Sequence, residues 1–373
     1  MRFLHTADLH LDSPFCALGA ESAEKRRERQ RKVLENIFAL AKEKECQMML
    51  MAGDIFDGSF VKKETENLLC RLVEEIGIPV VVSPGNHDAY IPSSVWARDD
   101  LPENLYVFSS KELQNFEFPQ LEAEVFGYAF TSAVLGDSPL SEAEPPEKSG
   151  MLRLLCAHGD LGAPISRYAP MSDSAIDKFG FNYCALGHIH KRSERTTDGG
   201  SLAVYCGFAE GRSFDEEGEG FVYIVDAENG GITATPVQVS ENMYISEILS
   251  VEGVGDRGDL AERINGVLQN ERFDKNTHMR LVLTGTADGE FLYGLDALAD
   301  ELGAGLASLD IRDETLCLPN AAYLENDITI RGELYRTLLP MLSSGSAEER
   351  RRAVAALNIG LAAIDGRSVF GGK

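Results

Sequence analysis

The sequence predicts an α/β fold, a two-sheet sandwich flanked by helices and followed by a small α+β domain. Three patterns carry this. Strands and helices alternate over residues 1–130, which favours a parallel sheet with covering helices. Strands resume after residue 150 and supply a second sheet packed on the first. Near Ser240 the style changes, and a segment with its own periodicity begins that could bury its own core.

Arg2 to Ala7 reads as a short strand. Ser22 to Glu45 reads as a helix, with Val33, Leu34, Ile37, Leu40 and Ala41 at helical spacing. Gln47–Met51 is a buried strand, Lys63–Ile76 a second helix and Pro79–Val82 a third strand. Residues 133–150 are acidic and rich in Pro, Gly and Ser, so they read as a surface loop. Leu152–Cys156 and Tyr183–Leu186 are strands. Leu202–Cys206, Phe221–Asp226 and Thr233–Val239 follow as antiparallel strands of the second sheet. Beyond Ser240, Met243–Val251, Asp259–Leu268, Met279–Thr286, Glu290–Leu302 and Ala307–Arg312 form a β-α-β-α-β unit. Gly332–Leu342 and Ala347–Ile364 are helices, the second opened by a capping box from Ser346 and Glu349. The expected organisation is therefore 1–239, 240–330 and 331–373.

The 373 residues suit two domains. Apolar residues make up 44% and charged residues 25%, an ordinary globular composition. No run approaches the roughly 18 uncharged apolar residues of a membrane helix, and no signal-peptide pattern opens the chain. Seven scattered cysteines without CxxC spacing point to reduced thiols in the cytoplasm. The net charge of −25 argues against bulk attraction to nucleic acid or an anionic membrane. Bound cations and local basic clusters can reverse that sign at a site.

Five short segments carry the chemistry, each just after a strand: Asp8-Leu9-His10, Gly53-Asp54, Gly85-Asn86-His87-Asp88, His158-Gly159 and Gly187-His188-Ile189-His190. In parallel sheets ligands sit beyond the carboxyl ends of strands. Asp, His and Asn supply mixed oxygen and nitrogen donors. The lack of cysteine disfavours structural zinc and leaves Mn²⁺, Fe²⁺ or catalytic Zn²⁺. Taken singly, each segment is weak, and a lone His on a strand is more often a core residue. Jointly they hold five of the seven histidines, which a purely structural reading would have to treat as five coincidences.

In this ordered set the chain resembles the calcineurin-like metallophosphoesterase superfamily, with its pattern D-x-H, G-D, G-N-H-[DE], H and G-H-x-H. Within it the chain is most similar to the SbcD-type DNA repair exonucleases. The opening Phe3-Leu4-His5-Thr6-Ala7-Asp8-Leu9-His10-Leu11-Asp12-Ser13-Pro14-Phe15 and Gly53-Asp54-Ile55-Phe56-Asp57 resemble the YhaO-like branch. The Arg-Gly that protein phosphatases of the superfamily usually carry soon after the second Gly-Asp is absent. The resemblance covers residues 1 to about 230, and the segment after it looks more loosely like the capping domain of these nucleases.

The resemblance implies two divalent ions, Mn²⁺ first and Fe²⁺ or Zn²⁺ as alternatives. One would be held by Asp8, His10 and His190, the other by Asn86, His158 and His188, with Asp54 bridging both. Two such ions, roughly 3.5–4 Å apart, clamp both oxygens of an in-line displacement, and water between them loses a proton near neutral pH. His87 would contact the phosphate and protonate the leaving oxygen, with Asp88 orienting its imidazole or serving only as a turn residue. Lys191, Arg192 and Arg195 are candidates for phosphate contacts, and Gly211-Arg212 for the rim. The family also implies a DNA substrate, a coiled-coil SbcC-like ATPase partner docked through C-terminal helices, and a possible homodimer.

Other features have two readings. The basic run over residues 25–32 is either a solvated helix face or a DNA-facing surface. Val354, Leu357, Leu361 and Ile364 on the terminal helix either pack within their own domain or enter a partner's groove. His5 reads as a strand-packing residue. Three functions compete: a metal-dependent DNA exonuclease or endonuclease, a phosphodiesterase or phosphatase for a small molecule, and a regulatory component of an ATPase complex.

Overall fold

The structure is a computed structural model that describes residues 1–58, 60–147, 150–228, 230–288, 294–318, 321–344 and 346–365. The chain forms two compact units, Met1–Met243 and Tyr244–Lys373. The C-terminal helices belong to the second of these.

The first unit opens with strand β1 (Arg2–Thr6), helix α1 (Ala20–Glu43), β2 (Met48–Met51), α2 (Lys63–Ile76), β3 (Val80–Val82) and β4 (Leu105–Val107). β1 to β4 pair in parallel, with Leu4 beside Met49, Met49 beside Val80 and Val80 beside Leu105. β2 and β3, Met-Met-Leu-Met and Val-Val-Val, are buried on both faces, as continuous apolar runs in a parallel sheet should be. Alternate residues then serve two layers. Leu4, Met49 and Val80 meet Val33, Leu34 and Ile37 of α1 and Leu69 and Val73 of α2. Phe3, Leu50 and Val81 face the other way, into a core between the sheets.

The second sheet follows: β5 (Gln114–Phe118), β6 (Ala123–Gly127), helix α3 (Pro139–Glu142), β7 (Leu152–His158), α4 (Asp173–Phe179), β8 (Tyr183–Gly187), β9 (Ser193–Thr196) and β10 (Leu202–Tyr205). Its order is β5-β6-β7-β8-β10-β9. Leu154, Cys156, Tyr183 and Ala185 fill the core between the sheets, while Leu155, Cys184 and Leu186 pack with Ile176 and Phe179 of α4. The result is helices, sheet, sheet and helix in layers. At roughly 1.5–3 kcal/mol for each large apolar side chain buried, this double core fixes the strand ends that carry the motifs.

Two strand expectations are corrected. Leu202–Tyr205 pairs parallel to β8 and antiparallel only to β9. The last two strands, β11 (Phe221–Glu228) and β12 (Gly231–Gln238), form an antiparallel hairpin that joins the first sheet along β1. The reason lies in β11's two apolar faces. Tyr223 and Val225 enter the core between the sheets, and Val222 and Ile224 the helix-facing core. The acidic segment 133–150 is also more than loop. Leu135 and Leu140 anchor it in the second sheet's helix-side core, and the Ser138 hydroxyl caps α3.

In the second unit, β13 (Met243–Ser250), α5 (Arg257–Leu268), β14 (Thr277–Thr284), β15 (Thr286–Asp288), α6 (Leu295–Leu302), β16 (Ser308–Asp313) and β17 (Leu316–Leu318) precede three helices, α7 (Ala321–Glu325), α8 (Ile330–Ser344) and α9 (Ala347–Ile364). β14 pairs in parallel with β16, and Met279 and Leu281 of β14 share a core with Leu260, Ile264, Leu298 and Ile311. The expected start of the helix at Glu290 lies outside the described residues. Ser346 and Glu349 form their capping box. Leu357 and Leu361 of α9 pack on Leu324 and Tyr335, so that face is used inside its own unit. Among the described residues no helix is long and apolar enough to cross a membrane.

Candidate metal centre

Strand ends from both sheets deliver the motif residues. Asp8 and His10 follow β1, Asp54 follows β2, and Asn86 and His87 follow β3. His158 ends β7, and His188 and His190 follow β8. Asp8, His10, Asp54 and His188 take positive φ values of 51°, 45°, 49° and 99°. Such left-handed non-glycine residues cost about 1–3 kcal/mol each and persist only where the surroundings hold them. Here Asp8 N donates to Gly53 O at 3.0 Å and His10 N to Asp54 O at 2.9 Å, which ties the two loops together. A Cβ on Gly85 would collide with the Asp54 carboxylate, so glycine there permits close approach.

Three overlapping groups of potential ligands result among the described residues. Asp8, His10 and His190 form the first; Asp54, His158 and His188 form the second; His10 and Asp54 also meet His87 in a third, with ligand atoms in each within 4.8 Å of one another. Asn86 joins the second group, its Oδ1 3.0 Å from His158 Nε2. Asp54 links the groups: its Oδ2 lies 3.3 Å from His158 Nε2 and 3.8 Å from His10 Nε2. All seven residues expected as ligands therefore meet in one place.

The residues fit divalent cations. Asp8 and Asp54 are each 1% exposed, and uncompensated buried carboxylates are costly. Burial raises the Asp8 carboxyl to about 7. Burial also opposes charge on His158, yet Asp54 and Asp8 overcome it and raise that imidazole to about 9, so the site demands positive charge. Burial lowers His10 and His188 to about 4, leaving neutral rings available for coordination. His10 Nε2 and His190 Nε2 converge to 3.2 Å, as two ligands of one ion would. Outer partners fix the rings: His158 Nδ1 donates to Ala52 O at 3.0 Å, and His190 Nδ1 lies 2.8 Å from Glu216 Oε1.

Asp88 does not orient the His87 imidazole, and that expectation is corrected. Its buried carboxylate accepts from the backbone N–H groups of Gly85 (2.7 Å), Asp54 (3.2 Å), Ile55 (2.9 Å) and Phe56 (3.3 Å). Asp57 takes the orienting position instead, with Oδ1 2.8 Å from His87 Nδ1. This contact raises the His87 imidazole above its ordinary value of 6.5. His87 remains 45% exposed beside the ligand groups.

Sequence reading also missed Glu216, and placed Arg212 only at the rim. Arg212 Nε lies 3.0 Å from Glu216 Oε1, and its Nη1 3.3 Å from Asp57 Oδ2. Glu216 gave no signal within its acidic run, whereas Asp57 stood in the quoted Gly-Asp-Ile-Phe-Asp segment. Of the three expected phosphate contacts, Arg192 stacks on the Phe221 ring at 4.4 Å and Arg195 pairs with Asp173. Lys191 is exposed, one residue beyond His190. The basic run of α1 is split: Arg26 is buried and donates to Gly211 O at 2.7 Å, and buried Arg31 meets Asp12 and Glu24, whereas Lys25 and Lys32 stay exposed.

The profile described as "Calcineurin-like phosphoesterase" matches residues 1–192. The chain is 27% identical over 352 residues to "Uncharacterized metallophosphoesterase YhaO" of Bacillus subtilis (strain 168), covering 86% of this chain and 80% of that protein. It is 26% identical over 283 residues to "DNA double-strand break repair protein Mre11" of Methanopyrus kandleri, covering 69% and 60%. It is 23% identical over 313 residues to an SbcCD nuclease component of Staphylococcus epidermidis, covering 73% and 78%. With a profile match over half the chain, and Asp, His and Asn gathered at five strand ends of a two-sheet sandwich, this chain belongs to the calcineurin-like phosphoesterase family.

Proposed function

We propose that this chain is a two-metal phosphodiesterase that cleaves DNA, as an exonuclease or endonuclease. The observation that carries the reading is the pair of ligand groups joined through Asp54, with a half-exposed imidazole beside them. Asp8, His10 and His190 would hold one divalent cation and Asn86, His158 and His188 the other, Mn²⁺ first and Fe²⁺ or Zn²⁺ as alternatives. When bound, the cations polarise the phosphate and make water nucleophilic at neutral pH. The protein's own part is positioning. Asp57 keeps a proton on His87 Nδ1, so the opposite edge of the ring can hydrogen-bond the phosphate and protonate the leaving oxygen. Lys191 is the remaining candidate for a phosphate contact.

DNA as substrate is supported by the names of the Mre11 and SbcCD relatives. The same relatives support an ATPase partner of SbcC type. Exposed Tyr323, Ile328, Ile330 and Met341, around α7 and α8, offer apolar contact for such docking. The second unit would act as the capping domain, and free Cys46, Cys156, Cys184 and Cys206 suit a cytoplasmic setting. The net charge of −25 favours a second reading, a small phosphodiester or nucleotide as substrate.

The test is cleavage of end-labelled single-stranded and duplex DNA, with Mn²⁺, Mg²⁺ or chelator, beside a chromogenic phosphodiester. Mn²⁺-dependent DNA cleavage that His87→Ala removes supports the nuclease. Hydrolysis of the chromogenic diester alone transfers the same chemistry to a small substrate.

A further inference from the structure

A cavity of about 210 Å³ opens beside His87, between the loops that follow β2 and β3. Phe56, Val61, Ile91, Val95 and Trp96 line it, with His87 at its edge. Asp88 also borders it, but its carboxylate is occupied by the four backbone amides described above. Asn86, Ser94 and Ser132 add polar edges to walls that are otherwise mainly apolar, which suits a flat, uncharged group with polar atoms at its rim. The volume is below the roughly 300 Å³ at which sites for drug-sized ligands begin, so it suits one ring system and not a dinucleotide. Trp96 is 2% exposed, and its Nε1 has no hydrogen-bond partner among the described residues.

We propose that this cavity is a subsite for a nucleobase on the leaving-group side of the scissile phosphodiester. His87 protonates the leaving oxygen in the reading above, on which this inference rests. Whatever that oxygen carries therefore lies on the His87 side, where the cavity is. An apolar slot next to the proton donor positions the leaving nucleotide by its base and tolerates more than one base, because every base has an apolar face.

Trp96 is the sole tryptophan of the chain, so its emission reports this cavity. The full chain in Mn²⁺ buffer is titrated with deoxynucleoside monophosphates, with deoxyribose 5-phosphate, and with short single-stranded DNA carrying either a normal or an abasic terminal nucleotide. Saturable change of Trp96 emission with the nucleotides, and none with the sugar phosphate, is the expected result. Ala133→Phe, on the exposed rim, should weaken nucleotide binding at least tenfold, and Ile91→Phe, filling the cavity from within, should do the same. A DNA response lost with the abasic end assigns the subsite to a nucleic-acid terminus, and a response to free nucleotides alone assigns it to a small substrate. Equal responses to sugar phosphate and nucleotide, no response to nucleotides, or indifference to both filling variants overturns the proposal. None of these ligands is a chromogenic diester, and binding is read without turnover. Failure here beside intact hydrolysis of the chromogenic diester removes the subsite alone, whereas loss of that hydrolysis removes the reading beneath it.

Discussion

Asp57 Oδ1 stands 2.8 Å from His87 Nδ1, while its Oδ2 faces the Arg212 guanidinium at 3.3 Å. Arg212 also holds Glu216, whose Oε1 lies 2.8 Å from His190 Nδ1. One ionic network therefore joins the imidazole beside the site to His190, a member of the first candidate ligand group. Through it, the acidic run after β10 reaches the loop after β2.

This network predicts graded losses. His87→Ala should lower kcat for a phosphodiester about 10²- to 10⁴-fold, the usual contribution of a general acid. Asp57→Asn removes the charge that keeps the ring protonated and oriented, and should cost about 10- to 100-fold. Bound metal, measured by elemental analysis, should stay at the wild-type level in His87→Ala. Near-normal turnover in Asp57→Asn would strip Asp57 of the orienting role.

Asp88 leads to a different expectation, because its oxygens bind backbone and not substrate. Asp88→Ala leaves four amides of Gly85 and Asp54–Phe56 without their acceptor in a buried loop. The expected effect is a loss of about 2–4 kcal/mol in denaturant unfolding. Unchanged stability combined with abolished turnover would return Asp88 to the catalytic group.

The candidate ligands were legible in the sequence because each sits in a short motif at a strand end, where local glycine and the strand pattern betray it. Their partners were not. Nothing in Asp57 distinguishes it locally from Asp88; the fold decides which carboxylate reaches the imidazole, and Asp88 is captured by the amides of a neighbouring loop. Glu216 lies in a run of acids that composition alone reads as solvated surface, yet it is 3% exposed behind His190. Strand β10 was misread for a similar reason. Its pairing with β8 depends on the exposed edge strand β9 folding back over it, and periodicity within β10 carries no record of that. The basic run of α1 reads as surface in a helical projection, but Arg26 and Arg31 are drawn inward by a carbonyl and by acids distant in sequence.

Metal binding should register as stability, since Asp8 and Asp54 are buried together. At a free Mn²⁺ concentration of 100 times Kd, one ion stabilises the folded state by about 2.7 kcal/mol. That corresponds to a rise of roughly 5–10 °C in Tm for a unit of this size. Chelator should abolish the rise. Asp54→Asn, which touches both ligand groups, should remove most of it. His278→Ala, in the second unit, should leave it intact. A Tm unmoved by Mn²⁺, Fe²⁺ and Zn²⁺ alike would refute the two-metal reading of the cluster.

His5 supplies a pH dependence separate from the ligands. It is fully buried in β1, with Nδ1 2.9 Å from the Tyr183 hydroxyl, and burial lowers its pKa to about 3 from 6.5. The unfolded chain therefore binds a proton on His5 between pH 6.5 and about 3, where the folded chain does not. The associated stability is complete above pH 6.5 and falls as pH drops through that window, by about 1.4 kcal/mol for each pH unit once below 6.5. His5→Gln can keep a hydrogen bond to Tyr183 but cannot titrate. Between pH 7.5 and pH 5, denaturant unfolding in chelator should move in favour of the variant by about 2 kcal/mol relative to wild type. The candidate metal ligands titrate in both proteins and cancel in the difference. Parallel stability curves across that range would mean that His5 is charged in the folded chain, and that its burial does not set the acid limit of the sandwich core.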